Sequence, residues 1–252
     1  MKKYIIAILS LIILTACESK TVKTVNKYGL TRNVKSFTIK TYKTIFGECT
    51  KGEIDDNLEG NCICEFTEEG YLRSKSWLEV RDGELTGNID YKFIYVYGPD
   101  GRVIYRYEYS YSGDLEQYSN YEYDNNGKPI HQNVFDIDHS LISTITYIYN
   151  GNNKPIKHIY DDKLEDEYDY ELNCTYDDNG RPIKIIRHNK ERTYVWEVSD
   201  NYSTIEINEY GLFFWINGQS AEYIYDEYGN WTSIIIYENS IPITIIEREI
   251  TY

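Results

Sequence analysis

One turn recurs along this chain, and it constrains the fold more than any other feature. Six segments share a frame of an aromatic residue, three residues that favour turns, then Gly or Asn. They are Phe66-Thr67-Glu68-Glu69-Gly70, Tyr97-Gly98-Pro99-Asp100-Gly101, Tyr123-Asp124-Asn125-Asn126-Gly127, Tyr149-Asn150-Gly151-Asn152-Asn153, Tyr176-Asp177-Asp178-Asn179-Gly180 and Tyr225-Asp226-Glu227-Tyr228-Gly229. Tyr97, Tyr123, Tyr149 and Tyr176 stand 26, 26 and 27 residues apart, and Tyr225 and Tyr252 are again 27 apart. A period of this length means an array of like supersecondary units. A unit of about 26 residues accommodates two strands and two turns.

The chemistry of the frame fits a hairpin. Asp or Asn at its second position bonds the backbone two residues on, and Gly or Asn at the fifth accepts positive φ. Pro129, Pro155 and Pro182 each follow the turn by two residues. Proline is confined to strand starts, bulges and edges, so this position predicts where the second strand begins.

Between turns the pattern has a period of two. Tyr105, Tyr107, Tyr109 and Tyr111 alternate with Arg106, Glu108 and Ser110. Tyr168, Tyr170, Leu172, Cys174 and Tyr176 alternate with Glu167, Asp169, Glu171, Asn173 and Thr175. Such alternation marks antiparallel strands wetted on one face. With 28 tyrosines and one methionine, the composition also favours strands over helices. The expectation is an all-β antiparallel meander of repeated hairpins, forming one domain over residues 28–252. Its sheet is expected to be strongly curved, turning the tyrosine face inward and closing into a barrel or half-barrel to remove exposed edges.

The amino terminus predicts the compartment. Lys2 and Lys3 precede an apolar run from Tyr4 to Leu14 that is too short to span a bilayer. Leu14-Thr15-Ala16-Cys17 resembles the lipobox of bacterial lipoproteins, whose cysteine is diacylated and becomes the mature N-terminus. Residues 1–16 then form a signal peptide, Cys17 is the lipidation site, and residues 17–27 are a lipidated tether. Several acyl chains together anchor stably. The partner implied is a membrane, reached through the N-terminal lipid, and the place is the cell envelope at the outer membrane.

Charge narrows the function. The chain carries −15, and loss of the two lysines in residues 1–16 takes it to −17. Nucleic acid binding relies on cationic neutralisation of phosphate and is excluded as a role.

Two resemblances follow from these motifs. Tyr176-Asp177-Asp178-Asn179-Gly180-Arg181 and Tyr225-Asp226-Glu227-Tyr228-Gly229-Asn230 resemble the YD repeat of the RHS family. The lipobox, Tyr28-Gly29-Leu30, Asn33-Val34-Lys35-Ser36, Gly229-Asn230-Trp231-Thr232 and Arg248-Glu249-Ile250-Thr251-Tyr252 are more closely similar to lipoproteins of Bacteroidota. That likeness implies a porin-like curved antiparallel sheet. The toxin-enclosing shell of large RHS proteins does not carry over to a chain this short. A transmembrane barrel, which the aromatic Tyr252 would suit, conflicts with the lipid anchor and with outward charges such as Glu167, Asp169 and Glu171.

Motifs for chemistry are sparse. The sequence has no His-x-x-x-His, no Gly-x-Ser-x-Gly and no glycine-rich phosphate loop. His131, His139, His158 and His188 read as solvated surface residues, with His131 and His158 facing oppositely. Asp136 and Asp138, or the Asp124 turn, could gather oxygens for calcium, although the turn alone accounts for Asp124. Neither a cofactor nor a metal is expected, and the chain reads as a non-enzymatic scaffold or binding module with a protein or glycan partner. The alternative is a glycan- or small-ligand-binding surface lipoprotein using Trp77, Trp196, Trp215 and Trp231 with tyrosines as a platform. Cys62 and Cys64 share a strand face, and Cys49 lies across a polar loop from them. This makes a disulfide from Cys49 to Cys62 or Cys64 plausible in an oxidising compartment, with free buried thiols as the alternative.

Overall fold

The structure, a computed structural model, describes residues 28, 30, 34–45, 48–55, 60–152, 154–164, 169–176, 182–197 and 219–252. Cys17, the signal peptide, the tether and Trp215 lie outside the described residues, as does the side chain of Trp196.

Sixteen strands and no helix occur among the described residues. They are β1 Ser36–Thr44, β2 Lys51–Ile54, β3 Cys62–Phe66, β4 Leu72–Arg81, β5 Glu84–Tyr97, β6 Val103–Tyr109, β7 Leu115–Tyr123 and β8 Pro129–Asp136, then β9 Leu141–Tyr149, β10 Pro155–Asp162, β11 Tyr170–Tyr176, β12 Pro182–Asn189, β13 Thr193–Glu197, β14 Gln219–Tyr225, β15 Trp231–Glu238 and β16 Ile241–Thr251. The all-β antiparallel meander expected from the alternation is the fold observed. Proline opens β8, β10 and β12, as the position of Pro129, Pro155 and Pro182 predicts.

The repeated frame has one register. Its leading aromatic pairs with the residue six positions on: Phe66 with Leu72, Tyr123 with Pro129, Tyr149 with Pro155, Tyr176 with Pro182 and Tyr225 with Trp231. In each case the ladder shifts next to that pair, so one bulge accompanies each of these five turns. The opposite end of one hairpin uses the frame too, since Phe135 pairs with Leu141 and His139 takes the left-handed position with φ of 65°. Two-residue turns at Asp82-Gly83 and Asn239-Ser240, all four residues at positive φ, close the hairpins β4–β5 and β15–β16.

The chain gathers into two compact units. The first comprises Tyr97–Tyr107 and Glu116–Asp200 among its described parts, and its strands follow the order β13-β12-β11-β10-β9-β8-β7-β6. Its apolar core is small: Ile145, Tyr147, Tyr170 and Leu172. Burial of a side chain such as Leu172 stabilises by about 1.5–3 kcal/mol.

The second unit contains Val22–Val96 and Asn201–Tyr252, and its strands follow the order β5-β4-β3-β1-β16-β15-β14. Here the meander is broken once. β1 lies between β3 and β16, pairing with β16 from Ser36↔Thr251 to Lys43↔Thr244. One edge of β1 is shared: its first half takes β3, and its second half takes β2. Asn61 bridges the gap between them. Its side-chain carbonyl accepts from the Thr41 N–H at 2.8 Å, and its amide donates to the Asp55 carbonyl at 2.9 Å. The core is larger than in the first unit and includes Phe37, Ile39, Phe66, Trp77, Trp231 and Ile246.

Three expectations change. Of the two closures expected, barrel or half-barrel, the full barrel is not formed: in neither unit do the paired strands return on themselves among the described residues. Among the described residues no disulfide joins Cys49, Cys62, Cys64 or Cys174. Cys62 pairs across the sheet with Ile39 and Trp77, while Cys49 precedes β2 and lies 3.6 Å from the Tyr237 hydroxyl. On β6 the tyrosine face is not the inner one. Arg106 has its Nε buried, whereas Tyr105 is exposed and Tyr107 packs on Tyr118.

Candidate functional site

Each turn of the first unit fastens the next. The Asp124 carboxylate accepts from the N–H groups of Asn126 and Lys128 at 2.9 and 2.8 Å, and Asn150 repeats this with Asn152 and Lys154. The Lys128 N–H, together with that of Asn126, holds the Asp124 carboxyl below the usual aspartate range. Asp136, read from sequence as a calcium candidate, is occupied in the same way by the N–H groups of Asp138 and Ser140. No group of three metal-ligating side chains occurs among the described residues.

The leading tyrosines join successive repeats. Tyr123 donates to the Val103 carbonyl at 2.7 Å, Tyr149 to Pro129 at 2.8 Å and Tyr176 to Pro155 at 2.7 Å. Each acceptor sits where the second strand of the preceding repeat begins. The basic residue that closes one turn also covers the next tyrosine: Arg102 lies over Tyr123 and Lys128 over Tyr149.

On the buried face of this unit a polar row crosses the strands. Gln132 on β8 donates to Ser119 on β7 at 3.1 Å and accepts from Tyr147 on β9 at 3.1 Å. Tyr147 stacks on His158 of β10 at 5.2 Å, and His158 meets Tyr170 of β11 edge-on at 5.7 Å. The Arg187 guanidinium of β12 covers the Tyr170 ring at 4.2 Å. The register explains the row, since Tyr147 pairs with His158, His158 with Leu172 and Leu172 with Arg187.

His158 is 2 % exposed, and neither ring nitrogen has a hydrogen-bond partner. The buried Tyr170 hydroxyl also lacks one. An orphaned buried polar group costs on the order of 1–3 kcal/mol. Burial pulls the His158 pKa down to about 3, so the ring is neutral at physiological pH. Sequence reasoning placed His158 at the surface, and the structure reverses that. The offset from His131 is as expected: His131 lies on the opposite face, 3.2 Å from the Thr146 hydroxyl. The signal that could have placed His158 inside is its pairing position opposite the apolar face of Tyr147 and Leu172.

Trp77 and Trp231, the two tryptophans whose side chains are described, are core residues and not part of an exposed platform. Trp77 is buried, stacked on Tyr91 at 4.2 Å and edge-on to Phe93 at 4.9 Å. Trp231 is buried beneath Arg248, whose guanidinium lies 3.7 Å from its ring centre. Arg248 donates to the carbonyls of Trp231 and Tyr28 at 2.9 and 3.1 Å, and burial lowers its pKa to about 10. Bulky aromatics at these positions fill the core of the second unit, as packing demands.

A half-buried aromatic row, exposed only at Tyr105, does run along the opposite face of the first unit. Tyr105 stacks on Tyr107 at 6.1 Å, Tyr107 meets Tyr118 at 6.0 Å, and Tyr118 stacks on Phe135 at 5.1 Å. Tyr118 also bonds His139 Nδ1 at 2.9 Å. Rings at these separations and low interplanar angles spend their faces on one another and turn their edges outward. A sugar ring would need the faces.

No family model matches the chain, and no curated protein matches it. Among solved structures, a porin-like protein from Bacteroides uniformis is similar at 9% identity and a TM-score of 0.39, covering 88% of this chain and 99% of that one. A porin-like protein from Bacteroides vulgatus gives 11% identity and a TM-score of 0.34, covering 87% and 98%. The TcdB2-TccC3-TEV structure gives 15% identity and a TM-score of 0.33, covering 79% of this chain but 12% of that one. At these scores a likeness carries no argument about activity or location.

Proposed function

We propose that this protein is a non-enzymatic, lipid-anchored protein of the cell envelope whose β-repeats serve as a scaffold. The observation that carries the reading is the commitment of the repeat's polar groups to the frame itself. The turn carboxylate Asp124 and the turn amide Asn150 each hold two backbone N–H groups, and three tyrosine hydroxyls lock one repeat to the one before. A carboxyl held in this way is poorly suited to general acid work, which needs a raised pKa. Cys17 within Leu14-Thr15-Ala16-Cys17 supports the anchor, and an outer-membrane position belongs to the same reading.

Fractionation of cells expressing the wild type and Cys17→Ala tests the anchor. The variant is expected to move from the membrane to the soluble fraction, and retention would overturn that part. A screen of envelope polysaccharides against the full-length chain tests the scaffold role. Saturable binding to one of them would replace it with the glycan-binding reading.

A further inference from the structure

We propose that His158, Tyr170 and Arg187 form a buried anion site in the first unit, fitted to a small oxyanion such as a carboxylate or a sulfate. Three observations converge on it. His158 and Tyr170 are 2 % and 5 % exposed, and three of their polar atoms, both imidazole nitrogens and the phenol oxygen, are without partners. Native interiors seldom leave such atoms unmatched, and an unseen ion or water is the ordinary explanation. The two rings touch edge to face at 5.7 Å, so their orphaned atoms belong to one locality.

The third observation is charge. Arg187 lies over Tyr170 at 4.2 Å, and Arg106 from β6 acts electrostatically on Tyr147, the ring stacked on His158. Around His158 the groups are Tyr147 on β9, Tyr160 on its own strand β10, and Tyr170 on β11, with Arg187 on β12 beyond. Tyr147 gives its hydroxyl proton to Gln132, and Tyr160 gives its own to Asp162; burial, with Asp162 and Asp169, raises the Tyr160 pKa. The donors left for a ligand are the imidazole and the Tyr170 hydroxyl, with Arg187 as the cation. Such a set favours an oxyanion over a metal ion or a cationic ligand.

A neutral imidazole offers one donor, while an imidazolium offers two. An oxyanion here therefore recruits a proton onto His158: the ring nitrogen that lacks hydrogen takes one from solvent, and no other bond changes. Binding and proton uptake become linked.

The test uses the full-length chain with sulfate and acetate as probes, and chloride to hold ionic strength. Thermal unfolding is followed between pH 7.5 and 6.0, where both probes stay ionised. The expected result is saturable stabilisation by an oxyanion, with affinity rising about tenfold per unit fall in pH, the slope for one proton taken up. His158→Phe, which keeps a ring in the stack, and Tyr170→Phe, which removes only the hydroxyl, should each weaken it at least tenfold. Equal stabilisation of wild type and both variants would mean a general salt effect and would overturn the site. Should a variant fail to fold, ring NMR of wild-type His158 decides: a saturable shift with a raised pKa supports the site, and no shift on adding either probe means bound water alone and overturns it.

Discussion

The hydroxyl of Tyr149 donates a 2.8 Å hydrogen bond to the carbonyl of Pro129, the first residue of the second strand in the repeat before it. Tyr123 and Tyr176 make the same bond to Val103 and Pro155. The leading aromatic of the frame is thus a fastener between repeats as well as a turn residue. Phenylalanine would keep the ring and lose the bond.

Tyr149→Phe should therefore lower stability by about 1 kcal/mol, the usual net worth of such a bond, with more lost if the Pro129 carbonyl finds no water. Tyr123→Phe and Tyr176→Phe should behave alike. Urea unfolding reads the effect, and three variants with the wild-type midpoint would show that the ladder contributes nothing.

At the turn, Asp124→Asn should be nearly neutral, because Asn150 does the same work with an amide one repeat later. Asp124→Ala should cost about 1 kcal/mol or more, since two backbone donors lose their acceptor. The carboxyl is depressed in the fold, so its contribution is present above the unfolded aspartate pKa and is lost as pH falls through the folded value. Chemical denaturation of both variants at pH 7 makes the comparison, and equal losses would count against the role given to the side-chain oxygen.

Two glycines separate backbone strain from crowding. Gly127 has φ of 84°, and a Cβ there would meet the Arg102 guanidinium at 2.5 Å. Gly229 has φ of 81°, with nothing within 4 Å of the same point. Gly229→Ala should cost roughly 1–2 kcal/mol, the penalty for an L-residue in the left-handed region. Gly127→Ala should cost more and should lift Arg102 off Tyr123. Equal costs would mean that Arg102 moves away freely.

His158 sets an acid sensitivity when no oxyanion is present. Its pKa falls from 6.5 in the unfolded chain to about 3 in the fold, so below pH 6.5 the unfolded state binds the extra proton. Stability should decline between about pH 6.5 and pH 3, with a contribution approaching about 1.4 kcal/mol per pH unit. The difference between wild type and His158→Phe, measured in chloride, isolates this term. Parallel curves would place the imidazole in water.

The hairpins were readable because their signals are local. Asp or Asn, then Gly or Asn, then Pro fixes a turn and a strand start within seven residues, and β8 and β10 begin where that reading puts them. Alternation also told which residues share a face. It could not tell which face is inward, because a period of two is symmetric, and β6 shows it by turning the Arg106 Nε inward while Tyr107 packs on Tyr118 on the other face. His158 was misjudged for the same reason. Cys49 and Cys62 looked like partners across a loop, yet β1 takes β2 and β3 along one edge and separates them. The pairing of β1 with β16 had no local signal, since strands so far apart in sequence are matched only by the finished core.

That pairing has a consequence for biogenesis. Lys40 contacts Glu249 across 209 positions of sequence, so β1 emerges early and waits for nearly the whole chain to be made before its neighbour arrives. Contacts of such long range form late and slowly. Until then, one side of β1 is an open template for other strands. A translation product cut short before residue 241 would carry that template permanently, making it a natural substrate for quality-control proteases.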